Sequence, residues 1–231
     1  ASSIDVWEPD FGTNTDLSEQ LMYNALTGYS SQPNGRGALA DRLVKATSSM
    51  MSINRSVKPL YSTPTSLPDN DIVGKLTLAA RLFNTGLGVR VISTVQGDYD
   101  QHDEQPGTHA ENLGALDRAI NAFFTNLKPS LRNRTTLMTF SEFGRKPHAN
   151  DSRGTDHSRA SVMFVMGERV RGGMLGTHPS FVGLQEWEDA DATVDFRSVY
   201  ATVLKTWMKA NPVSILGSPY PSLPLFRSGP S

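Results

Sequence analysis

With no cysteine in the chain, metal or acid–base chemistry falls to five histidines and 23 acidic residues. Three polar clusters gather the informative ones: Gly97-Asp98-Tyr99-Asp100-Gln101-His102-Asp103-Glu104-Gln105, then Ser141-Glu142-Phe143-Gly144-Arg145, then Gly154-Thr155-Asp156-His157. Oxygen and nitrogen donors without sulfur suit zinc, manganese, calcium or magnesium. The first cluster has the acid density of a calcium loop. Asp103, however, stands where such a loop requires glycine, and His109 stands where it requires the closing glutamate, which rejects that reading.

Each cluster taken singly has a plainer explanation. Residues 98–104 read as a solvated acidic loop, Glu142 as a surface partner of Arg145, and His157 as a capping or core histidine. His109 reads as facing solvent, and His148 and His178 sit in loops with no pattern behind them. What raises the set above these readings is where its members fall along the chain. Nucleophile motifs are lacking. There is no Gly-x-Ser-x-Gly elbow, no phosphate-cradling Gly-x-x-x-x-Gly-Lys loop, and Gly86-Leu87-Gly88 precedes an apolar run instead of opening a helix.

The elements that must position these clusters follow from periodicity. Residues 1–35, rich in Ser, Thr, Asn, Gly and Pro, predict irregular surface structure. Leu39, Leu43, Ala46 and Met50 share one face of a helix over residues 37–51, and Pro59, Pro64 and Pro68 mark 56–70 as a connecting loop. Asp69 to Asp71 cap a helix with Val73, Leu76, Ala80, Phe83 and Leu87 inward, ended by Gly86 and Gly88. Residues 89–95 are β-branched and predict a buried strand. Leu113, Leu116, Ile120, Phe123 and Leu127 form the stripe of an amphipathic helix closed by Pro129. Residues 135–140 and 161–166 predict two more strands, and 195–208 a helix with Phe196, Val199, Tyr200, Val203 and Trp207 inward. The last 21 residues, with five prolines, predict an extended tail. Alternating strands and helices of this length argue for βαβ units and a mostly parallel sheet, whose ligands bind at carboxyl ends of strands. All three clusters fall beside the predicted strands.

The totals exclude several classes. At 231 residues the chain can bury a core, and 38% hydrophobic with 19% charged residues is ordinary for a globular protein. A net charge of −1 gives no footprint for nucleic acid, and no apolar run reaches bilayer-spanning length. Without cysteine the compartment stays open. A start at Ala1, with no basic-then-apolar leader, is expected of a processed product or of a cut inside a longer protein.

At these residues the sequence resembles the domain-of-unknown-function 1501 family, mostly exported bacterial proteins related to the alkaline phosphatase and sulfatase superfamily. Residues 97–102, 141–145 and 154–157 look like its "G-(F/W)-D-T-H", "S-E-F-G-R" and "G-T-D-H-G" signatures. Val170-Arg171-Gly172-Gly173 and Thr193-Val194-Asp195-Phe196-Arg197 fit its "V-x-G-G" and "T-D-F-R" segments, in order, over about residues 70–226. Asp98, Gln101 and Ser158 depart from that pattern, standing for a usual glycine, threonine and glycine. The resemblance implies an alkaline-phosphatase-like three-layer α/β/α sandwich with a mostly parallel sheet; because no early strand with an aspartate and nucleophile is found before residue 70, either its N-terminal portion is lacking here or the site is incomplete. It divides the chain into an irregular or helical segment over 1–69, a metal-binding core over 70–226 and a tail over 227–231.

The resemblance further implies a two-metal centre. Asp100, His102, Glu142, Asp156 and His157 are the implied ligands, and Arg145 is an implied contact for a substrate anion. A metal-dependent hydrolase of phosphate or sulfate esters, exported to the periplasm or beyond, is one expectation. Its partner would be a small anionic ester or a sulfated or phosphorylated glycan. A non-catalytic binding or structural protein on a degraded enzyme scaffold is the alternative. A third reading, a subunit completed by a second chain or an oligomer, comes from the first 70 residues and the tail.

Overall fold

The computed structural model describes residues 37–61 and 71–227, with five positions between 21 and 29. Those five, Leu21, Asn24, Ala25, Gly28 and Tyr29, are helical, although irregular structure is expected there; the rest of 1–36, residues 62–70 and the last four residues lie outside the description. The chain is α/β at the coarse level, and divides into two compact units. One comprises the described residues up to Gln96 with Ala115–Leu127; the other comprises Gly97–Gly114 and Lys128–Ser231. Among the described residues no helix is long and apolar enough to cross a membrane.

In the first unit, α1 (Ala38–Tyr61) and α2 (Ile72–Asn84) pack on each other. Helix α1 runs on through residue 59 to Tyr61, past the expected loop start. Its buried stripe is Val44, Thr47 and Met51, while Leu39, Leu43 and Met50, expected inward, are exposed. Both stripes are spaced three to four residues apart, so periodicity alone does not select between neighbouring faces. Helix α2 begins where the Asp71 carboxylate accepts from the Gly74 amide at 2.7 Å, and it buries Ile72, Leu76, Ala79, Ala80 and Leu82. Helix α3 (Gln105–Asn126) adds Ala119 and Phe123 to this core, with Leu127 just beyond its end. The Phe123 ring meets Phe83 edge-on, with centroids 6.3 Å apart.

Residues 89–95 are not a buried strand. No described strand pairs with them, and Val91 and Val95 are exposed. A β-branched run fits a strand, but without a neighbour it forms no ladder.

Among its described residues the second unit holds four strands of two residues each, in two antiparallel pairs. Strand β1 (Leu137–Met138) pairs with β4 (Val165–Met166), and β2 (Gly144–Arg145) with β3 (His157–Ser158). The mostly parallel sheet expected from the alternation is not seen among the described residues. Short helix α4 (Pro129–Arg132) precedes β1. Helix α5 (Phe196–Thr202) begins at Asp195, whose carboxylate accepts from the Arg197 amide and guanidinium. That hydrogen bonding holds the Asp195 carboxyl below its ordinary value. Of the expected inward set, Val199 is buried but Phe196 is exposed. After Thr202 the helix widens into a π-turn over Val203–Trp207, where the Met208 amide reaches the Val203 carbonyl.

The tail is not wholly extended either. It forms α6 (Pro212–Leu216), opened by the Asn211 cap and closed at Gly217, and then pairs back through the Val170–Phe226 bridge. Thr202 joins α5 to this tail: its hydroxyl donates to the Ser198 carbonyl at 2.7 Å and accepts from the Leu223 amide at 2.8 Å, at 1% exposure. Thr202→Val keeps the shape and strands the Leu223 N–H. It is expected to lower unfolding stability by about 1–3 kcal/mol in a denaturant melt.

Candidate metal centre

The loop over residues 97–104 carries Asp100 and His102 without regular structure of its own, so its position comes from what it is tied to. At its start Asp98 has φ +65, a left-handed conformation that aspartate tolerates better than most residues. The first half of α3 holds this end. Asn112 Nδ2 donates to the Asp98 carbonyl at 2.6 Å, and the Tyr99 ring meets His109 edge-on. Burial raises the Tyr99 phenol above its ordinary pKa.

Facing it is the long connection between β2 and β3. Asn150 organises that connection by accepting the Ser152 and Gly154 amides on its Oδ1, at 3.1 and 2.9 Å. Its Nδ2 donates to the His102 carbonyl at 2.9 Å and to Asp156 Oδ1 at 3.2 Å. Further ties run from the Glu104 and Gln105 amides to the Ser152 and Arg153 carbonyls, and from the Thr155 hydroxyl to Gln105. Gly154 presses so close to the His102 backbone that a Cβ there would overlap it, and Gly144 meets the Ala160 backbone in the same way. Those two contacts explain why the second and third clusters carry glycine.

The β2–β3 register sets Arg145 opposite His157, on the same face of the pair. Phe143 stacks on the His157 ring at 4.0 Å and 11°, and the Arg145 guanidinium stands 4.9 Å from the Phe143 centroid. Arg145 Nη1 donates to the Thr155 carbonyl. Its Nη2 donates to the Tyr99 carbonyl at 2.6 Å and to Asp100 Oδ1 at 3.3 Å.

Three donor atoms therefore converge. His157 Nε2 lies 2.6 Å from Asp100 Oδ1, His102 Nε2 lies 3.1 Å from the same oxygen, and the two imidazole nitrogens are 3.2 Å apart. Ligands at 2.0–2.1 Å around a tetrahedral ion stand about 3.3 Å from one another. The observed spacing is thus that of a tripod around one small cation. A carboxylate and two imidazoles are also a common zinc donor set that leaves a fourth position open. The side chains are about half exposed, from 47% for His157 to 62% for Asp100, so the open side faces solvent.

The charge state suits a cation as well. Hydrogen bonding from His157, with the Arg145 guanidinium nearby, lowers the Asp100 pKa and keeps that ligand ionised at neutral pH. Asp156 is lowered by the hydrogen bonds from Asn150 and His102.

Of the five expected ligands, Asp100, His102 and His157 form this group. Asp156 instead lies 3.3 Å from His102 Nδ1, on the opposite side of the ring, where a carboxylate fixes tautomer and orientation behind a metal-ligating histidine. Glu142 is not in the group: its Oε2 accepts from the Ser141 hydroxyl at 3.5 Å, and Phe143 is the neighbour that reaches His157. Sequence reasoning missed Asn150 and Phe143. The turn-forming run Asn150-Asp151-Ser152-Arg153-Gly154 was the available signal for the first. Nothing local marks the second.

A model of the family described as "Protein of unknown function (DUF1501)" matches residues 34–208. The chain belongs to this family. The match on this DUF1501 chain begins earlier than the expected residue 70, taking in α1, and contains the whole donor group and its supports. No curated protein and no solved structure matches the chain.

Gly154→Ala forces its new methyl into the His102 backbone, and a cost of about 1–3 kcal/mol is expected. Gly172→Ala, a site with open space around its Cβ position, should melt close to wild type. Equal melting temperatures for the two variants would contradict the close approach.

Proposed function

We propose that this DUF1501 chain binds a divalent metal ion through Asp100, His102 and His157, and that it is hydrolase-like toward phosphate or sulfate esters. The observation supporting this reading is the mutual 2.6–3.2 Å spacing of the three donors, with Asp156 behind His102. When bound, a divalent ion at such a site supplies Lewis-acid polarisation of an ester oxygen and lowers the pKa of coordinated water. The chain's own residues do the rest. Asp100 provides the anionic ligand, the two Nε2 atoms provide neutral ones, and Asp156 keeps the His102 proton on Nδ1 so that Nε2 presents its lone pair. The exposed mouth admits a small anionic ester or an ester group on a sulfated or phosphorylated glycan.

The proposal extends to the scaffold and compartment: an alkaline-phosphatase-like sandwich, in a protein exported to the periplasm or beyond. Support for the scaffold is the family resemblance, with Asp100 and His102 on a loop and His157 at the start of β3. Support for export is the family resemblance.

A second reading, a non-catalytic metal-binding protein, is favoured by Arg145. Its guanidinium is engaged by two carbonyls and Asp100 and is turned to the protein's own loops. One set of measurements separates the two. In calorimetry, metal-stripped protein is expected to bind about one zinc or manganese ion. His157→Ala and Asp100→Ala should abolish binding, and Asp156→Asn should weaken it about 10–100-fold. Metal-dependent turnover of nitrophenyl phosphate or sulfate supports the hydrolase; binding without turnover supports the second reading. Absence of metal binding overturns both.

A further inference from the structure

Arg145 is the most enclosed charged group around the centre, with its side chain 18% exposed while Asp100 beside it is 62% exposed. Its hydrogen bonds go to the carbonyls of Tyr99 and Thr155. Tyr99 directly precedes Asp100, and Thr155 lies two residues before His157. One planar fork thus holds the backbone of both loops that carry donors. The same Nη2 also faces Asp100 Oδ1, the oxygen nearest both histidines. Below the fork, Phe143 lies against both the guanidinium and the His157 ring.

We infer that Arg145 is a positioning residue of the metal centre: it sets the separation of the two donor-bearing loops and aims Asp100 Oδ1, and it does not receive the substrate anion. The inference rests on the metal-binding reading above and assigns Arg145 a role within it. A planar fork reaches two carbonyls and a carboxylate in fixed directions, and it stacks on an aromatic ring. A lysine ammonium keeps the charge but not those directions. Removing the fork takes away a side chain that bonds the backbone beside Asp100 and the backbone beside His157 at once, and leaves the Asn150, Asn112, Thr155 and backbone ties.

The test compares wild type, Arg145→Ala and Arg145→Lys. Zinc affinity is measured by calorimetry, the cobalt absorption spectrum reports ligand geometry, and circular dichroism confirms the fold. Inorganic phosphate binding to the zinc-loaded protein provides the anion readout. Both variants are expected to bind zinc about 10–100-fold more weakly, as when groups behind metal ligands are lost, with an altered cobalt spectrum. Retention of charge in Arg145→Lys should rescue little of that loss. Zinc affinity and cobalt spectrum equal to wild type in Arg145→Lys would overturn the inference, as would a loss of phosphate binding with zinc affinity unchanged. Should Arg145→Ala fail to fold, Arg145→Lys decides. A wild-type protein that binds neither zinc nor cobalt sinks the metal reading itself, whereas tight wild-type binding with an unaffected lysine variant sinks only the role of Arg145.

Discussion

Loops without ladder bonds do not hold a charged cluster in place by themselves, because each ordered residue costs about 1–2 kcal/mol of backbone entropy. The segment 97–104 meets that cost through hydrogen bonds to Asn112 of α3, to Arg145 of β2 and to the connection between β2 and β3. The Asn112 and Asn150 amides and the Arg145 guanidinium supply the side-chain part of this stitching, and Gly154 lets the two backbones touch. Everything chemical about the site follows from this contact. Without it, Asp100 and His102 would be two solvated residues on an acidic turn.

The donor group shows a common economy. The ties on the 97–104 loop hold Asp100 and His102 together, and the cross-strand register brings His157 in with Arg145. Gln101, lying between the two ligands, is 8% exposed and has neither amide atom paired among the described residues; the Ser158 hydroxyl, next to His157, is buried and likewise finds no partner among them. Both sit at positions that depart from the family signature. Buried polar groups without partners cost stability, and nothing else in the structure accounts for these two.

Much of the candidate site was legible from residue types. Asp100, His102 and His157 were marked by donor chemistry and motif order, and they do meet. The roles of Asp156 and Glu142 were not legible, because sequence spacing does not say which side of an imidazole a carboxylate occupies. For Arg145 the expectation was a substrate anion; in the structure its guanidinium reaches Asp100 and two main-chain carbonyls, and the carbonyls, which every residue carries, are what no pattern reveals. Helices α2 and α3 and the cap at Asp71 followed from periodicity and capping chemistry. Strands did not. Residues 89–95, Phe140, Val162 and Phe164 have interior composition, yet Val91, Val95, Phe140, Val162 and Phe164 are exposed. Composition reports what surface a segment fits, not whether a neighbour lies beside it.

Anomalous diffraction at the zinc edge from a zinc-soaked crystal tests the convergence most directly. The account expects one strong peak about 2.0–2.2 Å from Asp100 Oδ1, His102 Nε2 and His157 Nε2 together. A peak elsewhere, or these three side chains pointing to separate surfaces with no peak between them, would contradict it.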